Sequence, residues 1–87
     1  MEGLQITIVD DHPLLAAALQ AELEQTGAVV ELIDPTVGPD HLLEAISGHR
    51  PDCAVLDLGL PFTGGGAALI RPLVDREIRV VVLTGET

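Results

Sequence analysis

Three aspartates and a threonine stand where short apolar runs end. Leu4-Gln5-Ile6-Thr7-Ile8-Val9 stops at Asp10-Asp11, Cys53-Ala54-Val55-Leu56 at Asp57, and Val80-Val81-Val82-Leu83 at Thr84. Each run is short and rich in β-branched residues, and reads as a strand with a polar residue just past its carboxyl end. In open α/β sheets ligands bind outside those ends, so three carboxylates and a hydroxyl would converge on one crevice. Clustered carboxylates repel one another and call for a cation. Oxygen ligands of this kind suit Mg²⁺, which takes one or two carboxylates and keeps several waters. Such a site favours phosphoryl transfer: a carboxylate is a competent nucleophile toward phosphorus, giving an acyl phosphate, while the metal neutralises developing charge. Thr84 could then hydrogen-bond a phosphoryl oxygen on Asp57 and draw its own loop inward.

Plainer roles exist for each residue singly. Asp10-Asp11 suits a helix-capping pair, Asp57 a turn, and a threonine at a strand end is unremarkable. Taken together in register, the functional reading outweighs these. His12, His41 and His49 share no metal-ligand spacing and are expected on the surface, without zinc. Gly64-Gly65-Gly66 lacks the lysine of a P-loop and the spacing of a dinucleotide fingerprint, and reads as a flexible loop. Phe62, the lone aromatic, is expected to be an exposed loop side chain or a partner contact.

The elements that must position these residues follow from periodicity. After the first strand, Pro13 suits the first turn of a helix, with Leu14, Leu15, Ala18, Leu19 and Leu23 at helical spacing and Gln20, Glu22 and Glu24 mainly opposite. Gly27 is a plausible stop. A second strand over 28–33 leads through a turn-rich stretch to a short helix over 40–47, closed by Gly48. The third strand ends at Asp57, and after the glycine loop a third helix covers about 67–76, with Pro72 predicting a kink or a split. The fourth strand covers 80–83. Alternation of this kind predicts one α/β domain over residues 1–87, with a parallel sheet, right-handed crossovers and helices on both faces. The near-continuous apolar runs of strands three and four predict burial on both sides.

Bulk properties bound the remainder. With 47% hydrophobic residues and one aromatic the core must be aliphatic. A formal charge of −10, from fourteen acids against four arginines and no lysine, argues against nucleic-acid binding by this segment, since counterion release needs clustered cations. Cys53 is the single cysteine and reads as a small core residue. No cationic leader opens the chain and no run is long enough to span a bilayer, so a cytoplasmic, membrane-free protein is expected.

At three places the sequence resembles the receiver domain of two-component response regulators, a CheY-like, flavodoxin-like family. Ile8-Val9-Asp10-Asp11-His12-Pro13-Leu14 is similar to its opening, especially in regulators carrying a helix-turn-helix output domain (NarL/LuxR-type). Asp57-Leu58-Gly59-Leu60-Pro61-Phe62-Thr63-Gly64-Gly65 resembles its phospho-acceptor loop, and Val81-Val82-Leu83-Thr84-Gly85 its fourth strand and switch threonine. The resemblance covers essentially the whole chain, with ordinary family spacings between Asp11, Asp57 and Thr84. It implies that Asp57 accepts a phosphoryl group from a sensor histidine kinase. It further implies that Asp11 and Asp57 bind Mg²⁺ through side chains, Gly59 through its backbone carbonyl and Asp10 through metal-bound water. Thr84 would sense the phosphoryl group, and Gly65 would provide the tight backbone after the acceptor loop. The resemblance places transcription regulation and any DNA contact in an output domain outside this segment.

The family pattern continues with a fourth helix, a fifth strand bearing a lysine, and a fifth helix, none of which this sequence contains. The expectation is therefore a partial receiver, with strand four as an unpaired edge that templates self-association into a homo-oligomer. Two other readings remain: a switch-incompetent receiver-like interaction module, favoured by the missing lysine, and a Mg²⁺-dependent aspartyl phosphatase. The latter usually needs a second acid two residues after the nucleophile, where this chain has Gly59. The favoured reading is a signalling module and not a turnover enzyme.

Overall fold

The computed structural model describes residues 2–83. Within them, β1 (Gln5–Val9), α1 (Pro13–Glu24), β2 (Val29–Ile33), α2 (Pro39–His49), β3 (Cys53–Asp57), α3 (Ala67–Asp75) and β4 (Arg79–Leu83) follow in order, with a 3-10 turn at Pro35–Val37. All pairings are parallel and the sheet runs β2-β1-β3-β4. This is the parallel α/β arrangement the alternation predicts, in the flavodoxin-like strand order the resemblance implies. Register matters for the site: Val9 lies opposite Leu56, and Asp57 opposite Leu83. The start of β3 is tied to β1 by a reciprocal pair, Gln5 N–H donating to Asp52 Oδ2 at 2.8 Å and Asp52 N–H to the Gln5 carbonyl at 2.8 Å.

The two sheet faces differ. Val9, Ala54 and Leu56 pack with Leu42 and Ile46 of α2 and Leu69 and Leu73 of α3 in one sealed cluster. On the other face Ile6, Ile8, Val30 and Val55 cluster with Ala28 and with Ala16 of α1, and Leu19 and Leu23 of the same helix pack against them.

Several expectations need correction. The face of α1 turned to the sheet is Ala16, Leu19, Gln20 and Leu23, the i, i+3, i+4, i+7 set, and the Gln20 amide donates to the Val30 carbonyl at 3.3 Å. Leu14 (88% exposed) and Leu15 face outward instead. β3 is buried as expected, but in β4 Val81 (49% exposed) and Val82 are open, because β4 pairs with β3 alone among the described residues. α2 runs through Gly48 and stops at Arg50, a left-handed residue (φ 49°), since Pro51 disfavours a right-handed helical residue before it. Pro72 neither splits nor ends α3, which continues to Asp75. Leu69 and Leu73 of the same helix are buried in the core, and that packing outweighs the one backbone bond lost at proline. α3 then closes with Glu77 left-handed (φ 62°), Glu77 N–H donating to the Val74 carbonyl at 2.9 Å and Ile78 N–H to the Leu73 carbonyl at 3.0 Å. That is a Schellman closure with glutamate where glycine is usual, held by burial of Ile78.

Candidate functional site

The carboxyl ends of β1 and β3 are neighbours in the sheet, so Asp10, the residue after β1, and Asp57, the last of β3, come together at one rim. Both are buried: the Asp10 side chain is 1% exposed and that of Asp57 3%. Asp11 follows Asp10 and is more open. Carboxylate oxygens of Asp10, Asp11 and Asp57, with a ring nitrogen of His12, lie within 4.8 Å of one another. The three aspartates singled out in the sequence are thus brought together. Thr84, singled out with them, lies outside the described residues.

The acceptor loop holds Asp57 from below. Gly59 N–H donates to Asp57 Oδ1 at 2.9 Å, so the described contact of Gly59 with the site is through its amide. Gly65 N–H donates to the Phe62 carbonyl at 2.8 Å and Gly66 N–H to the Leu58 carbonyl at 3.2 Å. A Cβ on Gly65 (φ +55°) would sit 2.3 Å from the Leu58 carbonyl oxygen, and one on Gly66 2.2 Å from that of Asp57. Gly65 and Gly66 are therefore a clamp on the backbone of Leu58 and Asp57, where the composition suggests a flexible loop. Phe62 is half-buried and packs on the α2–α3 cluster, which corrects the exposed position expected for it.

His12 is the residue whose role the sequence did not disclose. It precedes α1, and its side chain, 59% exposed, folds back over the acids. Its backbone N–H and its Nδ1 both donate to Asp10 Oδ1, at 2.8 and 2.7 Å. Nδ1 also lies 3.2 Å from Asp11 Oδ1 and 3.4 Å from Asp57 Oδ2. The hydrogen bond to Asp10, then the charge of Asp11, raise the His12 pKa above its ordinary value and favour the imidazolium. The only hint in the sequence was adjacency to Asp10-Asp11. His41 and His49 are exposed on α2, as expected. Cys53 is half-buried against the α1-side cluster, and burial pushes its thiol pKa up.

The donor set fits a divalent cation. Asp10 Oδ2 and Asp57 Oδ2 are buried and accept no hydrogen bond, a costly condition for carboxylate oxygens unless a cation serves them. Beside the acids, toward β2, lies a cavity of about 420 Å³ lined by Asp10, Asp11, Asp34 and Leu32 among others. Asp57 is not part of its wall, so the acceptor chemistry belongs to the rim.

A 2-1-3-4 parallel sheet with clustered acids beyond its inner strands defines a flavodoxin-like domain with a cation-type pocket. Comparison with known proteins narrows this further. The response regulator receiver domain model matches residues 6–87, and the chain belongs to that family. It is 37% identical over 82 residues to a protein-glutamate methylesterase/protein-glutamine glutaminase of Anaeromyxobacter dehalogenans, covering 93% of this chain and 22% of that protein. It is 32% identical over 80 residues to the virulence transcriptional regulatory protein PhoP of Salmonella choleraesuis, covering 92% of this chain and 34% of that one. The chain thus spans about a fifth and a third of these two curated relatives. A solved response regulator from Burkholderia pseudomallei, with a phosphorylated aspartic acid, a calcium ion and citrate, superposes with a TM-score of 0.78 at 28% identity, over 97% of this chain and 48% of that one. Among the described residues no helix is long and apolar enough to cross a membrane.

Proposed function

We propose that residues 1–87 act as one receiver unit in cytoplasmic two-component signalling, accepting a phosphoryl group from a sensor histidine kinase on Asp57 to control an output domain or partner. The observation that carries this is Asp57 itself: a buried carboxylate ending a central strand, with Oδ1 held by the Gly59 amide and Oδ2 without a hydrogen bond. In the transfer an Asp57 oxygen attacks phosphorus, the phosphorus–nitrogen bond of the donor phosphohistidine breaks, and an acyl phosphate remains on Asp57. Asp11 and Asp57 side chains and the Gly59 carbonyl are the proposed ligands of Mg²⁺, with Asp10 acting through bound water. The ion would supply charge neutralisation during transfer. Thr84 is assigned phosphoryl sensing from the sequence. The phosphorylated, cation-bearing relative from Burkholderia pseudomallei supports the reading, as does transcriptional regulation in the name of the PhoP relative. The domain is a stoichiometric acceptor and not an enzyme of turnover, and any DNA contact belongs to an output domain.

Incubation with Mg²⁺ and acetyl phosphate, read by intact mass, is expected to add one phosphoryl group, and Asp57→Asn to abolish it. No adduct on a demonstrably folded chain would overturn this reading in favour of a switch-incompetent interaction module.

A homo-oligomer formed through β4 is part of the proposal. Among the described residues β4 pairs with β3 alone, and Val81 and Val82 are exposed. The segment from α3 through β4 carries three arginines (Arg71, Arg76, Arg79) against Asp75 and Glu77, whereas the whole chain is at −10. Two like-charged copies therefore repel least when they meet along this flank.

A further inference from the structure

We propose that the acidic site of Asp10, Asp11 and Asp57 is a mixed nitrogen–oxygen metal centre, in which Nδ1 of His12 joins the carboxylate ligands, so that the chain takes a first-row transition-metal dication more tightly than Mg²⁺. This rests on the reading that these carboxylates hold a divalent cation and names the class of ion they prefer.

The first support is spacing. Nδ1 is 2.7, 3.2 and 3.4 Å from one oxygen of Asp10, Asp11 and Asp57 respectively. Ligand atoms bonded to one small dication at about 2.0–2.2 Å, and set at right angles, stand roughly 3 Å apart. The imidazole nitrogen already lies at the separations of a shared coordination shell, and on binding the cation would take the place of the proton that Nδ1 now donates to Asp10 Oδ1, which is released to solvent. A second support is that Asp10 Oδ2 and Asp57 Oδ2, on carboxylates more than nine-tenths buried, accept no hydrogen bond. His12 Nδ1 serves Asp10 Oδ1 and leaves these two without a hydrogen bond. The third is chain geometry: the His12 backbone N–H is itself bonded to Asp10 Oδ1, which anchors the residue so that its ring returns to the acids.

Chemistry then decides the ion. Mg²⁺ favours an all-oxygen shell with several waters, and a nearby imidazole contributes little to it. Cobalt, nickel and zinc dications accept imidazole readily, and affinity for mixed sites rises from manganese through cobalt and nickel to copper before falling back at zinc. Replacing one ligand nitrogen should therefore change discrimination between ions more than it changes the fold, because the His12 side chain is largely solvent-exposed.

The test uses the full chain with Co²⁺ and Mg²⁺ as separate probes. Affinities are measured by competition with a chelating dye, and the Co²⁺-loaded chain is examined by proton NMR for a paramagnetically shifted, exchangeable imidazole proton. His12→Gln is compared with His41→Gln, a substitution on the exposed side of α2. The expected result is a Co²⁺ over Mg²⁺ affinity ratio that falls tenfold or more in His12→Gln and stays unchanged in His41→Gln, with the shifted proton present in the parent and absent from His12→Gln. An unchanged ratio in His12→Gln, or a Co²⁺-loaded parent without a shifted imidazole proton, would overturn the proposal. If Mg²⁺ binding and phosphoryl uptake persist in that case, the receiver reading stands and only the His12 ligand is lost. If neither ion binds a folded chain at millimolar concentration, both fail.

Discussion

Gly66→Ala is predicted to be among the most damaging single-methyl changes in this chain. Gly66 has an ordinary right-handed backbone (φ −61°, ψ −26°), so alanine adopts the conformation without penalty and the cost is purely steric. Its Cβ would lie 2.2 Å from the Asp57 carbonyl oxygen, 3.0 Å from the Asp57 carbonyl carbon and 3.2 Å from Leu58 Cα. Carbon–oxygen contacts normally stand at about 3.3 Å or more, so the two backbone segments must part by roughly 1 Å. No flexible side chain can absorb that movement. Gly66 N–H is bonded to the Leu58 carbonyl, and Leu58 N–H to that of Leu83 at 3.1 Å, so the displacement runs into the β3–β4 ladder. Overpacking costs typically about 1–3 kcal/mol, and a clash with backbone belongs at the upper end. With a urea slope of about 1–1.5 kcal/mol/M for a chain of this size, the unfolding midpoint should fall by about 2–3 M. Far-ultraviolet circular dichroism is the suitable probe, since the chain has no Trp or Tyr. Gly48→Ala is the control: it lies inside α2 with nothing within 4 Å of its Cβ, and should stabilise by about 1 kcal/mol through helix propensity. A Gly66→Ala midpoint at or above that of the parent would refute the clamp and the reasoning behind it.

Glu77→Gly should raise the urea midpoint by the equivalent of about 1 kcal/mol, because glycine relieves a left-handed residue at the close of α3, and a lowered midpoint would contradict that assignment. In a metal-free NMR titration, His12 should lose its proton above its ordinary pKa, and Asp10→Asn should bring the value down by removing the largest cause. The sign follows from linkage: with the folded pKa raised, its contribution to stability is complete below the unfolded pKa and is lost as pH rises through the folded one. Light scattering at tens of micromolar should show an oligomer that Val81→Lys dissociates. A monodisperse parent monomer would remove the β4 interface.

The fold was legible because strand and helix periods alternate cleanly and each strand ends on a polar residue. The acidic rim was legible for the same reason: parallel pairing of adjacent inner strands forces Asp10 and Asp57 together once both are known to be strand ends. What escaped were features set by tertiary contact. The direction in which α1 faces depends on Ala16, too small to dominate a hydrophobic pattern containing Leu14 and Leu15. Arg50 and Glu77 take left-handed conformations that neither side chain favours, under the constraint of Pro51 in one case and of buried Ile78 in the other. The role of Gly66 is a distance to the Asp57 carbonyl, and no composition rule distinguishes that from flexibility. His12 looked like a surface residue and is one by exposure, yet its inner nitrogen belongs to the site.

These particulars separate what is held from what can move around the acceptor. β3 lies between β1 and β4, its backbone is pressed by Gly66, and its Asp57 carboxylate is fixed at Oδ1 by Gly59. Beneath it, Leu56, Leu60, Leu69 and Leu73 form a buried cluster that resists displacement. Asp11 and His12, by contrast, lead into α1, a helix whose sole fully buried residue is Ala16 and which therefore has few contacts to lose. Charge added at Asp57 meets a rigid acceptor on one side and an exposed histidine on the other. The response to phosphorylation among the described residues should then concentrate at Asp11, His12 and the first turn of α1, with β3 and the glycine clamp unmoved. Amide exchange compared before and after acetyl phosphate treatment can read this directly: faster or slower exchange across the first turn of α1 with unaltered protection in β3 is the expected result, and the reverse pattern would show that the clamp yields.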